Sequence, residues 1–212
     1  MTEIYLVRHC ECEANIHNFL AGTVDYAVTE KGKGQLDGLA ERFRDIRLDA
    51  VYASPLARTR ATAAAIARYN GAPVSVDARF IEFNFAQYDG TRSKDLPDEL
   101  KGQWFDRPHL LSVPDGDNMQ EFGPRVFAAL LALAQENKGK TVAVATHGNV
   151  LRAIGLRLQH MPEDRLSDVA WSGNTGVHLV RFDDNGNWEY LLKNDTSHVP
   201  LEFAGPLERG NR

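Results

Sequence analysis

Ile4-Tyr5-Leu6-Val7-Arg8-His9 is the segment, near the start of the chain, from which the architecture can be inferred. Its apolar residues form a continuous run, which is typical of a strand buried on both faces of a parallel sheet. The basic pair Arg8-His9 ends the run. Because ligands of open α/β sheets bind beyond the carboxyl ends of the strands, this pair stands where a site is expected.

Two later apolar runs also end in polar residues. Ala50–Ala53 is followed by Ser54 and then by Arg58, and residues 141–145 are followed by Thr146-His147-Gly148. If these strands are parallel, the three ends meet at one edge of the sheet. That edge then carries two histidines and two arginines, although the formal net charge of the chain is −5. A local cationic cluster in an acidic protein indicates an anionic substrate.

The segments between these runs carry apolar residues at helical spacing and the signals that begin helices. Thr29 is predicted to cap a first helix, and Ser54, with Pro55 after it, a second. Asn118 and Glu121 have the spacing of a capping box before a third helix. Strands and helices therefore alternate along the chain.

This alternation predicts an α/β fold with a mostly parallel sheet and helices on both faces. Residues 80–117 are rich in Asp and also contain Pro, Gly and Trp, and we expect them to form a small inserted subdomain over the C-terminal edge of the strands. Residues 176–182 and 188–192 flank a turn sequence and predict a C-terminal hairpin. No linker divides the chain, so residues 1–212 are expected to form a single domain.

Composition excludes several classes of protein. The chain has 212 residues, of which 43% are hydrophobic and 25% charged, which is ordinary for a globular protein and unlike a disordered one. The negative net charge argues against a broad nucleic-acid surface, and no apolar run approaches the roughly 20 residues of a membrane span. Cys10 and Cys12 are too close for a useful disulfide loop and predict free thiols in a cytoplasmic protein.

A metal site is not expected, because a tetrahedral site needs three or four ligands and the chain has only two cysteines. The remaining histidines lack partners at useful spacing, and His178, in a strand-like run, is interpreted as a packing or surface residue. Cys10 follows His9 beside cationic side chains, so we expect a lowered thiol pKa there.

The segment from Leu6 to Asn15 resembles the Arg-His-Gly signature of the histidine phosphatase superfamily, which includes cofactor-dependent phosphoglycerate mutase. The likeness continues, in family order, through Thr29-Glu30-Lys31-Gly32, residues 52–59, Glu82, Thr146-His147-Gly148 and residues 194–198. It therefore spans most of the chain.

The resemblance implies a role for each matching residue. His9 would attack phosphorus and become a phosphohistidine, and Glu82 would give a proton to the leaving oxygen and later take one from water. The phosphate would be held by the side chains of Arg8, Asn15, Arg58 and His147 and by the helix that begins near Gly148. No cofactor is implied for hydrolysis.

Departures from the family pattern separate the functional alternatives. Cys10 stands where the family most often has Gly, residues 83–90 lack the Arg-x-Tyr-Gly run of phosphoglycerate mutases, and the insert is short. These differences favour a phosphatase acting on small phosphomonoesters. The alternatives are a phosphoglycerate mutase and a non-catalytic module that binds a phosphorylated ligand. The expected partner is a small phosphorylated metabolite, not nucleic acid or membrane, and the oligomeric state is left open, a homodimer included.

Overall fold

The computed structural model describes residues 1–205, and its centre is a six-stranded mixed sheet in the order β3-β2-β4-β1-β5-β6. The strands are β1 Thr2–Arg8, β2 Ala50–Ala53, β3 Val74–Val76, β4 Thr141–Thr146, β5 Val177–Phe182 and β6 Trp188–Asp195. The first four in space are parallel to one another. The last two form an antiparallel hairpin, and β5 runs antiparallel to β1. The predicted mostly parallel sheet and C-terminal hairpin are confirmed.

Helices lie on both faces of the sheet, as predicted. They are α1 Glu13–His17, α2 Glu30–Phe43, α3 Ala57–Ala67, α4 Asp98–Asp106, α5 Met119–Glu136 and α6 Gly148–Leu158. None of these helices is both long enough and apolar enough to cross a membrane.

The side chains of β1 explain why its apolar run is continuous. Leu6 packs in the core formed with α5 and α6, whereas the next residue, Val7, packs in the core formed with α2 and α3. Both side chains are at most 1% exposed. Because successive side chains of a strand point to opposite faces, a strand covered on both sides needs apolar residues at consecutive positions.

Two of the predicted helix caps are confirmed. Thr29 Oγ1 accepts a hydrogen bond from the Gly32 amide at 2.9 Å, and Asn118 Oδ1 accepts one from the Glu121 amide at 3.1 Å. Each satisfies one of the amides that a helix leaves without an internal partner at its start.

The predicted cap at Ser54 is wrong. Helix α3 begins at Ala57, its N-cap is Leu56, and its first amide binds the carboxylate of Asp25 at 2.8 Å. The Ser54 hydroxyl instead makes a 2.7 Å hydrogen bond with His147. A side chain that the site holds in this way is not available to cap a helix.

The segment 80–117 contains more regular structure than its composition indicated. It holds the nine-residue helix α4 and several short 3-10 turns. The helix was not predicted because Leu100 is its single buried residue, so it shows no apolar stripe. The five-residue helix α1 is likewise too short to show periodicity.

Candidate active site

The sheet brings the three polar strand ends together. Strands β2, β4 and β1 are neighbours and parallel, with Ala53 opposite Ala145 and Arg8 opposite Thr146. Residues that follow these positions therefore emerge at the same edge, where a cavity of about 410 Å³ opens. Arg8, His9, Asn15, Glu82 and Gly148 all line it. This is the placement expected for a site at the C-terminal edge of parallel strands.

The hydrogen bonds and burial of His9 fix its tautomer and its charge. Its Nδ1 lies 2.7 Å from the carbonyl oxygen of Cys10. A carbonyl only accepts, so Nδ1 carries the proton and Nε2 keeps its lone pair. Burial lowers the pKa of His9 well below its usual value, and the charges of Arg58 and Arg8 act in the same direction. The ring is therefore neutral near pH 7, the form that a nucleophilic imidazole requires.

His147 lies behind His9, with the ring centroids 5.5 Å apart. Its side chain is fully buried and does not line the cavity. Nε2 is hydrogen-bonded to Ser54 Oγ, whereas Nδ1 has no hydrogen-bond partner among residues 1–205. Burial, followed by the charge of Arg58, lowers the pKa of His147 well below its usual value.

Glu82 is 5% exposed and is held by backbone amides on both oxygens. Oε1 accepts from Phe83 at 2.9 Å and Oε2 from Asn149 at 3.2 Å. Burial raises the pKa of this carboxyl, although the two amide bonds and the arginine charges act against the shift. Glu82 therefore holds a proton to higher pH than an ordinary carboxyl, which suits a general acid.

The start of helix α6 lines one end of the cavity. Gly148 is the first residue of the helix, and a Cβ added there would lie 2.8 Å from the ring of Trp171. Only glycine allows the indole to pack this closely on the helix start. The exposed amides of a helix N-terminus attract anions. Arg8 lines the cavity beside them, and its Nη1 donates to the carbonyl oxygen of Ser172.

Asn15 is oriented by hydrogen bonds to its side-chain oxygen. Oδ1 accepts from the Cys12 amide at 3.0 Å and from Asn174 Nδ2 at 3.3 Å. The NH₂ group is left as the donor of the side chain. Asn15 lines the cavity, so this donor is suited to an oxyanion.

Arg58 is placed differently from the other predicted phosphate ligands. Its guanidinium is fully buried, and its Nη atoms donate to the carbonyls of Ala21, Gly22 and Val24 at 2.9–3.0 Å. Nε has no hydrogen-bond partner among the described residues, and Arg58 is absent from the cavity wall. In this structure Arg58 anchors the 21–24 loop, and its positive charge contributes to the lowered pKa of both His9 and His147. Its direct contact with phosphate stays a prediction.

The outer part of the cavity is mainly aromatic on one side. Phe85 and Trp104 come from the 80–117 segment, with ring centroids 5.6 Å apart, and Trp171 lies 5.8 Å beyond Trp104. On another part of the wall, Lys31 Nζ donates to Glu11 Oε2 at 2.8 Å. A flat or apolar group of a ligand can pack against these rings. The Lys31 ammonium group is already paired with the Glu11 carboxylate.

The turn from Ser172 to Thr175 contains site residues that the sequence analysis missed. Asn174 lines the cavity, and its Nδ2 also donates to the carbonyl of His9 at 3.0 Å. The available signal was topological. Because β5 runs antiparallel to β1, the residues before β5 must meet the end of β1, and a polar Ser-Gly-Asn-Thr sequence stands there.

The expected low pKa of Cys10 is wrong. Its side chain is completely buried, and burial raises the pKa of the thiol to about 11, more than the nearby Arg58 charge offsets. Both cysteines are free thiols. Within residues 1–205, no cluster of three or more His, Cys, Asp or Glu side chains is placed to hold a metal ion.

Known proteins resemble this chain over nearly its whole length. The profile of the histidine phosphatase superfamily (branch 1) matches residues 4–196. A protein of Citrobacter koseri named probable phosphoglycerate mutase GpmB is 31% identical over 225 residues, which cover 99% of this chain and 100% of that protein.

Two solved structures share the fold closely. Bacillus stearothermophilus YhfR superposes with a TM-score of 0.89 at 25% identity, covering 94% of this chain and 100% of that one. Phosphoserine phosphatase of Entamoeba histolytica, in complex with 3-phosphoglyceric acid, superposes with a TM-score of 0.83 at 25% identity and the same coverage.

Proposed function

Because the chain belongs to the histidine phosphatase superfamily, we propose that it hydrolyses small phosphomonoesters through a phosphohistidine on His9. One observation carries the proposal: His9, whose pKa burial lowers, and Glu82, whose pKa burial raises, line the same cavity beside a helix N-terminus. A module that only binds a phosphorylated ligand needs neither a nucleophile nor an acid.

In the first step the phosphate group binds between Arg8, the Asn15 amide and the start of α6. His9 Nε2 donates its lone pair to phosphorus, the bond from phosphorus to the ester oxygen breaks, and Glu82 gives its proton to that oxygen. The alcohol leaves. The arginine and the helix amides stabilise the charge that spreads over the phosphoryl oxygens.

In the second step water attacks the phosphohistidine. The Glu82 carboxylate takes a proton from the attacking water, the bond between nitrogen and phosphorus breaks, and inorganic phosphate forms. Glu82 and His9 are then back in their starting protonation states. We propose His147 and Arg58 as further stabilisers of the phosphoryl group. His147 would act through Nδ1 and Arg58 through Nε, the atoms that have no hydrogen-bond partner within residues 1–205.

The charged side chains of the cavity wall favour a substrate whose alcohol part carries no anionic group in addition to the phosphate. Apart from the histidine, the cavity wall within residues 1–205 contains two cations, Arg8 and Lys31. Arg8 stands at the phosphate end, and Lys31 is paired with Glu11 at 2.8 Å, with side chains 30% and 12% exposed. A carboxylate on the substrate would have to compete with Glu11 for the same ammonium group.

A phosphoglycerate mutase is the second candidate, favoured by the name that curated relatives carry at 26–31% identity. The mutase must protect its phosphohistidine from water and must hold a phosphate and a carboxylate at once. The Lys31–Glu11 pair and the absence of an Arg-x-Tyr-Gly run in residues 83–90 argue for hydrolysis.

The two candidates differ in the product that they form from 3-phosphoglycerate with a trace of the bisphosphate. We expect release of inorganic phosphate to be faster than formation of 2-phosphoglycerate. The His9→Ala variant, purified identically, shows how much of either activity comes from contaminants. Efficient isomerisation with little free phosphate would establish the mutase instead. A panel of small phosphomonoesters then ranks substrates by kcat/KM.

Three further properties stay predictions: a cytoplasmic location, a homodimer as one option, and activity without an added cofactor. The last is checked in the same phosphate-release assay, by comparing enzyme before and after dialysis against a chelator.

A further inference from the structure

His178 is a buried titratable residue that the proposed mechanism does not use. It lies on β5 opposite Leu6 of β1 and is 6% exposed. Its ring is bonded on both sides, to the hydroxyl of Tyr190 through Nδ1 and to Ser172 Oγ through Nε2 at 2.6 Å. The other buried residues of the strand, such as Val180, are apolar. A buried polar ring in such a strand is costly unless its hydrogen bonds are satisfied.

The hydrogen bonds fix where the proton of His178 lies. The backbone amide of Asn194 points at Nδ1 from 3.3 Å, and an amide can only donate. Nδ1 is therefore an acceptor, and Nε2 carries the proton that is donated to Ser172. Burial lowers the pKa of His178 to about 4, so the neutral ring keeps this arrangement near pH 7.

A β-bulge between β5 and β6 brings the Asn194 amide to the ring of His178. The pairing of β5 with β6 shifts register on both sides of Leu179, and Asn194 adopts a left-handed backbone with φ of 49°. Its amide thereby turns to His178, while its side-chain oxygen accepts from the Gly173 amide at 2.9 Å. His178 and Asn194 thus hold two consecutive residues, Ser172 and Gly173.

The turn held in this way, Ser172 to Gly176, contacts the reacting groups. The Ser172 carbonyl accepts from the guanidinium of Arg8, and the Gly176 carbonyl accepts from the Arg8 amide at 3.1 Å. The carbonyl of His9 accepts from the Thr175 amide at 3.3 Å. The same turn therefore positions the nucleophile and the arginine that faces the phosphate.

We infer that His178 is a positioning residue, which orients the guanidinium of Arg8 through Ser172 and the Ser172–Gly176 turn. It touches no reacting atom itself. This inference rests on the proposed function, since Arg8 and His9 are assigned their roles there. It assigns a role in the site to a residue that the sequence analysis interpreted as a packing or surface residue.

The test compares three variants by kcat/KM on one phosphomonoester. His178→Phe keeps the ring and removes its hydrogen bonds, and His178→Gln can still donate to Ser172. Val180→Ala is the matched control, because it removes buried volume from the same strand without a bond to the turn. We expect kcat/KM of His178→Phe to be about tenfold below that of the wild type, the effect of losing about one hydrogen bond. His178→Gln should recover most of this loss. Val180→Ala should lower the Tm and change kcat/KM less than threefold.

A double-mutant cycle separates positioning from general weakening of the fold. If His178 acts through Arg8, the tenfold loss of kcat/KM caused by His178→Phe should shrink to below threefold in the Arg8→Ala background. An unchanged tenfold loss in that background would overturn the inference, and so would full activity in His178→Phe. If His178→Phe does not fold, Ser172→Ala carries the same test, since it removes the hydroxyl and keeps the carbonyl that binds Arg8.

Binding of inorganic phosphate, measured by calorimetry, distinguishes failure of the inference from failure of the proposed function. If the wild-type chain hydrolyses no ester, the proposed function fails. The inference still requires His178→Phe to bind phosphate more weakly than the wild type and Val180→Ala, and equal affinities would overturn it. A wild-type chain that neither turns over esters nor binds phosphate would overturn both.

Discussion

The imidazole rings of His9 and His147 lie 5.5 Å apart with their planes tilted by 56°, and each has one nitrogen engaged by a different partner. Cys10 holds Nδ1 of His9, and Ser54 holds Nε2 of His147. His9 lines the cavity and His147 does not. This difference in access assigns the nucleophilic role to His9 in our proposal.

Replacing Glu82 by Gln should slow alkyl phosphates far more than p-nitrophenyl phosphate. An alkoxide needs a proton as it leaves, whereas nitrophenolate leaves well without one. We expect a loss of about 10²–10³ in kcat/KM for the alkyl ester, in the range of general acid catalysis. Asp89→Asn is the control, because Asp89 binds the 22–23 loop and does not line the cavity. An equal loss on both esters would remove Glu82 from the acid role.

The pH dependence should follow the two shifted pKa values in opposite directions. Burial lowers the pKa of His9, so the enzyme should lose activity through protonation of His9 only at a pH below 6.5, the usual pKa of histidine. The raised pKa of Glu82 means that its acid function persists above the usual 4.5 and is lost as pH rises further. The ratio of alkyl to aryl kcat/KM cancels the ionisation of His9, which both esters need, and comparing wild type with Glu82→Gln cancels the different ionisation of the two esters. We expect this ratio, divided by the ratio for Glu82→Gln at the same pH, to fall with rising pH. A quotient that does not change with pH would contradict the assignment.

Replacing Arg58 by Ala should lower both stability and turnover. The change leaves the carbonyls of Ala21, Gly22 and Val24 without their donor, at a cost of about 3 kcal/mol in the free energy of unfolding. It also removes a positive charge near the phosphate, which should cost about 10²–10³ in rate for every substrate. Arg60→Ala, on the same helix but exposed, is the control. A loss confined to one substrate would make Arg58 a specificity residue instead.

Replacing Gly148 by Ala should disturb the phosphate end of the cavity. The added Cβ would lie 2.8 Å from the Trp171 ring, so the indole or the start of α6 must move. A displacement near 1 Å at a reacting centre can cost about a hundredfold, and we expect a loss of about tenfold or more with all esters. Gly102→Ala is the matched helical control, since its Cβ would meet only the Arg107 guanidinium at 4.0 Å. Equal kinetics for the two variants would show that α6 does not bind phosphate.

Much of the fold could be predicted because burial leaves a local pattern. Strand β1 is covered on both faces, so its apolar run is continuous, and Thr29 and Asn118 cap helices with their own side chains. Helix α4 left no such pattern, because one leucine is its only buried residue.

The site was only partly predictable because several of its contacts join distant segments. Ser54 looked like a helix cap, and only the fold reveals that it binds His147, 93 positions away. The family resemblance implied that Arg58 is a phosphate donor, but it gave no sign that its Nη atoms bind carbonyls more than 30 positions earlier in the chain. The pKa of Cys10 was predicted from neighbouring charges, whereas its complete burial has the larger effect.

The central claim is a covalent phosphohistidine on His9. Mixing the enzyme with a ³²P-labelled phosphomonoester and quenching rapidly in base should trap a labelled protein whose label is stable in base and lost in acid. Peptide mapping should place the label on His9, and His9→Ala should show neither label nor turnover. A His9→Ala enzyme with near-normal turnover, or a label mapped to another residue, would contradict the account.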